Sequence, residues 1–138
     1  MAMSVREIMN PNPIRLGANA SIREAARAMR DNDIGDVIVE KNGRFCGIVT
    51  DRDIVVRALA AGRDGEAELE SICSKEITAL SPTSTDEEAV SLMREKAVRR
   101  LPVLENGKAV GIVSLGDLAV EKDPQSVLGH ISAAPANR

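Results

Sequence analysis

Two residue pairs carry the clearest chemical potential of this chain: Thr50 with Asp53, and Ser114 with Asp117. In each, a hydroxyl follows a Gly-Ile-Val run and a carboxylate stands three positions further on. A hydroxyl at a strand-to-helix turn sits beside free backbone N–H groups, which can hold a phosphate. A carboxylate one turn along can accept two hydrogen bonds from vicinal hydroxyls, as a ribose offers. Gly47 and Gly111, lacking side chains, would let a ligand or a neighbouring strand come close. The same spacing is also that of a helix N-cap, which needs no ligand. The residues alone leave both readings open.

Other chemistry finds less support. Cys46 and Cys73 are 27 residues apart, a spacing that matches no zinc motif, and they suit small hydrophobes in a reducing compartment. No ligand cluster points to a metal. His130 is the sole histidine, follows Gly129, and has no nucleophile beside it, so no catalytic residues are expected and the chain does not read as an enzyme. Phe45 is the only aromatic residue and the net charge is −3, which argues against nucleic acid as a partner. Met1 to Asn10 has no apolar run of signal-peptide length, and no stretch approaches a membrane span. A cytoplasmic protein is expected.

The elements that must position the two pairs are themselves duplicated. Val5 to Val56 repeats as Leu69 to Val120 at a displacement of 64 positions, without a gap. Identical pairs include Ile8/Ile72, Leu16/Leu80, Met29/Met93, Val39/Val103 and Gly43/Gly107. Each copy is too short to bury much core alone, so the copies are expected to stack. Within a copy the order reads β-α-β-β-α. An extended stretch (Pro13–Leu16, Ile77–Leu80) precedes a helix capped by Asn19 or Ser21, or by Ser84 or Thr85. Ile22, Ala25, Ala26 and Met29 then form one buried face. Ala89, Val90, Leu92, Met93 and Ala97 form the other. Two strands meet at Asn42-Gly43 and at Asn106-Gly107, a strong hairpin signal. Pro102 belongs at a strand start or edge. The last helix of the first copy should stop at Gly62, and that of the second at Asp123-Pro124. Val127, Leu128 and Ile131 can pack beyond that, with 133–138 frayed.

This order, closed in each copy by G-I-V-[TS]-x-x-D, resembles a tandem CBS-domain pair, or Bateman module. The resemblance runs from about Val5 to Asp123 and includes the V-x-x-I-M lead-in. It divides the chain into a first repeat with its lead-in at 1–62, a linker at 63–68, a second repeat at 69–123 and a tail at 124–138. It implies an α+β fold with two repeats paired around a pseudo-twofold axis. It also implies two clefts between the repeats for adenosine-containing regulatory ligands: AMP, ADP, ATP or S-adenosylmethionine. Asp53 and Asp117 match the ribose-binding aspartates, and Thr50 and Ser114 the hydroxyls near phosphate or ribose. Gly35, Asp36 and Val37, and their counterparts Arg99, Arg100 and Leu101, match positions lining the base pocket and phosphate exit. Ile14 and Thr78 match positions that touch the base.

The copies differ where charge matters. Arg99 and Arg100 can neutralise a phosphate, or form a solvated surface pair, whereas Asp36 would repel one. Arg52 partly compensates in the first copy, and Gly116 replaces it in the second. Unequal sites are expected. Two functions compete: a regulatory module sensing adenosine ligands, and an interaction module with vestigial, empty clefts. Helices rich in Ala, Val and Met suggest a homodimer, as the resemblance also implies. An unidentified protein target is the remaining partner expected.

Overall fold

The computed structural model describes residues 3–74, 78–122, 129 and 131, and shows an α+β chain. The expected stop at Asp123-Pro124, residues Val127, Leu128 and His130, and the tail 133–138 lie outside the described residues.

The chain forms two compact units whose limits differ from those of the sequence repeats. One comprises Pro13–Ile77, and the other Met1–Asn12 with Thr78–Arg138. Each lead-in therefore folds with the opposite copy. In the first unit the Leu69–Ser71 turn docks through Leu69 N–H to the Ala20 carbonyl and Glu70 N–H to the Ala18 carbonyl. In the second unit α1 (Val5–Ile8) makes the same two bonds, from Val5 to Ser84 and from Arg6 to Pro82. Leu69 and Val5 are both fully buried. Truncating such a residue to Ala costs about 2–5 kcal/mol, so the docking is firm.

The first unit holds β1 (Arg15–Gly17), α2 (Ile22–Asn32), β2 (Asp36–Lys41) and β3 (Arg44–Thr50). The sheet order is β1-β2-β3, with β1 parallel and β3 antiparallel to β2. α3 (Asp51–Asp53) runs directly into a π-helical stretch at Ile54–Leu59, and Gly62 follows at φ +78°. The second unit repeats the plan with α4 (Asp86–Lys96), β4 (Arg100–Glu105), β5 (Lys108–Ser114) and α5 (Leu115–Lys122). Both hairpins turn on Asn-Gly with positive φ at both residues, as a type I′ turn requires.

Ser21 and Thr85 are the caps of α2 and α4, accepting from the Glu24 and Glu88 amides. Ile22, Ala25 and Met29 are buried as the periodicity predicts, but Ala26 is exposed. The buried stripe of α2 is thus narrower than expected. In α4, Ala89 and Met93 are buried and Val90 and Leu92 half-buried. Ala97 is not on this face: it is the exposed C-cap, in the left-handed conformation at φ 54°.

Pro102 is not at the strand start, but β4 is an edge strand of the two-stranded β4-β5 sheet, as its missing donor predicts. The proline is the third residue of β4, buried and paired with Ile112. Its position explains a difference between the units. The equivalent Ile38 donates its N–H to the Ile14 carbonyl and so holds β1 against β2. Pro102 has no N–H to offer. The matching lead-in strand is reduced to a single parallel bridge between Leu80 and Val103.

Candidate functional site

The chemistry-bearing residues meet where β3 passes into α3 and where β5 passes into α5. Thr50 and Ser114 end their strands in extended conformation and start the helices. In the first unit the Asp53 amide donates to Thr50 Oγ1 at 3.1 Å, and the Thr50 amide donates to Asp53 Oδ2 at 2.8 Å. In the second, the Asp117 amide donates to Ser114 Oγ at 3.0 Å and the Ser114 amide to Asp117 Oδ2 at 2.9 Å. Both are reciprocal capping boxes. The cap reading of these residues therefore holds in both copies. It leaves the second carboxylate oxygen, Oδ1, as the atom that can meet a ligand.

The loops before β2 and β4 close on these boxes. The Asp51 amide donates to the Gly35 carbonyl at 3.0 Å, and the Leu115 amide to the Arg99 carbonyl at 2.7 Å. Asp36 pairs across the hairpin with Thr50, and Arg100 with Ser114. Directly opposed residues share a sheet face, so Asp36 and Arg100 each flank a capping hydroxyl. Arg52 and Arg99 are exposed. Thus Gly35, Asp36, Thr50, Arg52 and Asp53 come together in one unit, and Arg99, Arg100, Ser114 and Asp117 in the other. Val37 and Leu101 stand next in line but lie within the two hydrophobic cores, at 0% and 2% exposure. Ile14 packs half-buried against the first core, beside β2, and Thr78 is half-buried before Leu80.

The two glycines serve the chain itself. A Cβ on Gly47 would strike the carbonyl oxygen of Ser74, and one on Gly111 the sulfur of Met9. A neighbouring segment, rather than a ligand, occupies the space.

Two residues near the boxes escape a motif reading. The Asp51 carboxylate lies where a side chain on Gly35 would reach, with Oδ2 at 3.2 Å from that Cβ position. Arg57 Nε approaches Asp53 Oδ1 at 3.7 Å. Their counterparts in the 64-residue register are Leu115 and Glu121. Comparing the copies beyond the motif would have exposed both differences. The first junction therefore carries three aspartates with Arg52 and Arg57, whereas the second carries two arginines with Asp117 and Glu121.

Similarity to known proteins agrees with this geometry. The CBS domain model matches residues 5–59 and 69–122. The chain belongs to the CBS-domain family. The CBS domain-containing protein YhcV of Bacillus subtilis is 38% identical over 119 residues, covering 86% of this chain and 85% of YhcV. Hypoxic response protein 1 of Mycobacterium tuberculosis is 33% identical over 132 residues, covering 94% and 92% of the two chains. A crystal structure of Hypoxic Response Protein I with two coordinated zinc ions superposes at TM-score 0.77 with 34% identity, covering 85% of this chain and 97% of that one. A hexameric CBS-CP12 protein from bloom-forming cyanobacteria superposes at TM-score 0.79 with 27% identity, covering 90% of this chain and 74% of that one. Among the described residues of the present CBS chain, no group of three or more His, Cys, Asp or Glu is placed to hold a metal ion. Cys46 is half-buried and Cys73 is buried, neither is in a disulfide, and the Cys73 thiol donates to the Glu70 carbonyl at 3.8 Å. Among the described residues no helix is long and apolar enough to cross a membrane.

Proposed function

We propose that this CBS-domain chain is a non-catalytic regulatory module of the cytoplasm that binds an adenosine-containing ligand, with the phosphate-bearing forms preferring the second unit. One observation carries the reading. Asp117 keeps Oδ1 without a hydrogen-bond or ion-pair partner among the described residues, while Arg99 and Arg100 flank the same junction. A vicinal diol suits that oxygen, and an anionic phosphate suits the guanidinium groups. In the first unit Asp36 and Asp51 oppose a phosphate and Arg52 offsets them only in part, which favours AMP or ATP at the second.

Output through association fits the exposed apolar side chains of the π-helical stretch. Val55, Val56 and Leu59 are 56%, 48% and 74% exposed. A second copy of this chain is the partner such a stripe suits, and the hexameric state of the similar CBS-CP12 protein supports that reading. A bound ligand shifts such an equilibrium only by its differential affinity for the two states.

Thermal denaturation with AMP, ATP and S-adenosylmethionine tests the proposal. A ligand at 100 times its Kd should stabilise the chain by about 2.7 kcal/mol. The AMP shift should vanish in Asp117→Asn and persist in Asp53→Asn. Absence of any shift at millimolar ligand would leave the chain as an interaction module with empty sites.

A further inference from the structure

The acceptor oxygen in the first unit already faces a cation from the chain's own helix. Thr50 N–H takes Asp53 Oδ2, and Arg57 Nε stands 3.7 Å from Oδ1. The same guanidinium donates through Nη1 to the Ile72 carbonyl at 3.3 Å. Arg57 is therefore held at two points, the carboxylate and the end of the docked lead-in. In the second unit the equivalent residue is Glu121, exposed and of opposite charge. A carboxylate cannot donate to Asp117, so Oδ1 there stays uncommitted among the described residues.

We infer that Arg57 is an internal competitor for the diol of a ribose at Asp53, and that the reversal to Glu121 keeps the Asp117 acceptor open. This rests on the adenosine reading above. The two units are then graded sites, and the grading resides one helical turn beyond the recognised motif. A ribose reaching Asp53 must displace an ion pair whose arginine is half exposed. Such displacement weakens binding by about two- to fivefold rather than abolishing it.

Adenosine is the suitable probe, because it carries the diol without a phosphate that Arg57 would attract. The variant Asp117→Asn isolates the first site, and its amide oxygen can still accept from the Ser114 amide. Adding Arg57→Gln to it should tighten adenosine binding by about two- to fivefold in calorimetry. Binding of 2′-deoxyadenosine should not change. In an Asp53→Asn background, Glu121→Arg should weaken adenosine binding by a similar factor. Circular dichroism establishes that each variant is folded. If Arg57→Gln leaves adenosine affinity unchanged or lowers it, or tightens deoxyadenosine equally, the competitor role is overturned. If the wild-type chain binds neither adenosine nor AMP, the ligand reading itself fails.

Discussion

Replacing Gly47 with alanine should destabilise the chain, although general propensity argues for the opposite sign. Glycine inside a strand is unfavourable, and Gly→Ala at an unstrained position stabilises by about 0.4–1 kcal/mol through the unfolded state. Here the added methyl would meet the Ser74 carbonyl oxygen and lie 3.2 Å from Cys73 Sγ. The oxygen belongs to backbone and cannot swing aside. It also takes part in the bridge that holds the lead-in, formed by Ser74 N–H to Ile48 O at 3.0 Å and Ile48 N–H to Ser74 O at 3.4 Å. Relieving the clash either breaks both bonds, at about 1 kcal/mol each, or forces overpacking worth about 1–3 kcal/mol. The net cost after the entropy gain is about 1–2 kcal/mol. At this chain length that lowers Tm by about 3–7 °C. Gly111→Ala should also destabilise, by somewhat less, because the flexible end of Met9 can move aside and the backbone oxygen of Asn10 lies 2.9 Å from the added methyl. Differential scanning calorimetry of the two variants decides the point. A Gly47→Ala chain as stable as wild type would refute the close approach of the lead-in and reopen the space to a ligand.

Each capping hydroxyl should contribute about 1 kcal/mol, so Thr50→Ala and Ser114→Ala should each lower stability in urea denaturation by that amount without ligand. Pro102→Ile supplies the missing N–H for the lead-in strand but loosens the unfolded chain, and these effects nearly cancel within about 1 kcal/mol. The decisive reading is hydrogen exchange, where a protected amide at position 102 is expected and a freely exchanging one would contradict the Ile38 analogy. Lys41 donates to Glu70 at 2.9 Å, and that hydrogen bond, with the attraction of the carboxylate, raises the lysine pKa above 10.5. The pair's stabilisation is full below the unfolded lysine's pKa and is lost as pH rises through the raised folded value. Alkaline melting curves of wild type and Lys41→Met should therefore converge above that range. Leu59→Glu should shift the chain to monomer in analytical ultracentrifugation, and an unchanged mass would remove the apolar stripe from the interface.

The elements were legible in the sequence because their signals are local. Asn-Gly forces a type I′ turn wherever it joins two apolar runs, and Ser21 and Thr85 cap their helices through amides only three residues away. The exchange of lead-ins was not legible. Val5 and Leu69 are equivalent residues with the same partners in each unit, so pattern alone cannot say which copy a lead-in joins. Pro102 was half legible. The missing donor forecast an edge, but its effect falls on the lead-in strand beside β4, which only pairing reveals.

The site divides along the same physical line. Positions that shape backbone are alike in both copies: Gly47 and Gly111 admit a neighbouring segment, and Thr50/Asp53 and Ser114/Asp117 close the same capping box. Identity there is accounted for by folding, so it carries little information about a ligand. Positions that shape no backbone have diverged: Gly35 and Arg99, Asp36 and Arg100, Asp51 and Leu115, Arg57 and Glu121. None of these changes alters the turn or the cap, and each alters the charge facing the carboxylate. A motif conserved between copies therefore identifies the scaffold of the junction, whereas the ligand preference of each unit must be read from residues the motif leaves free.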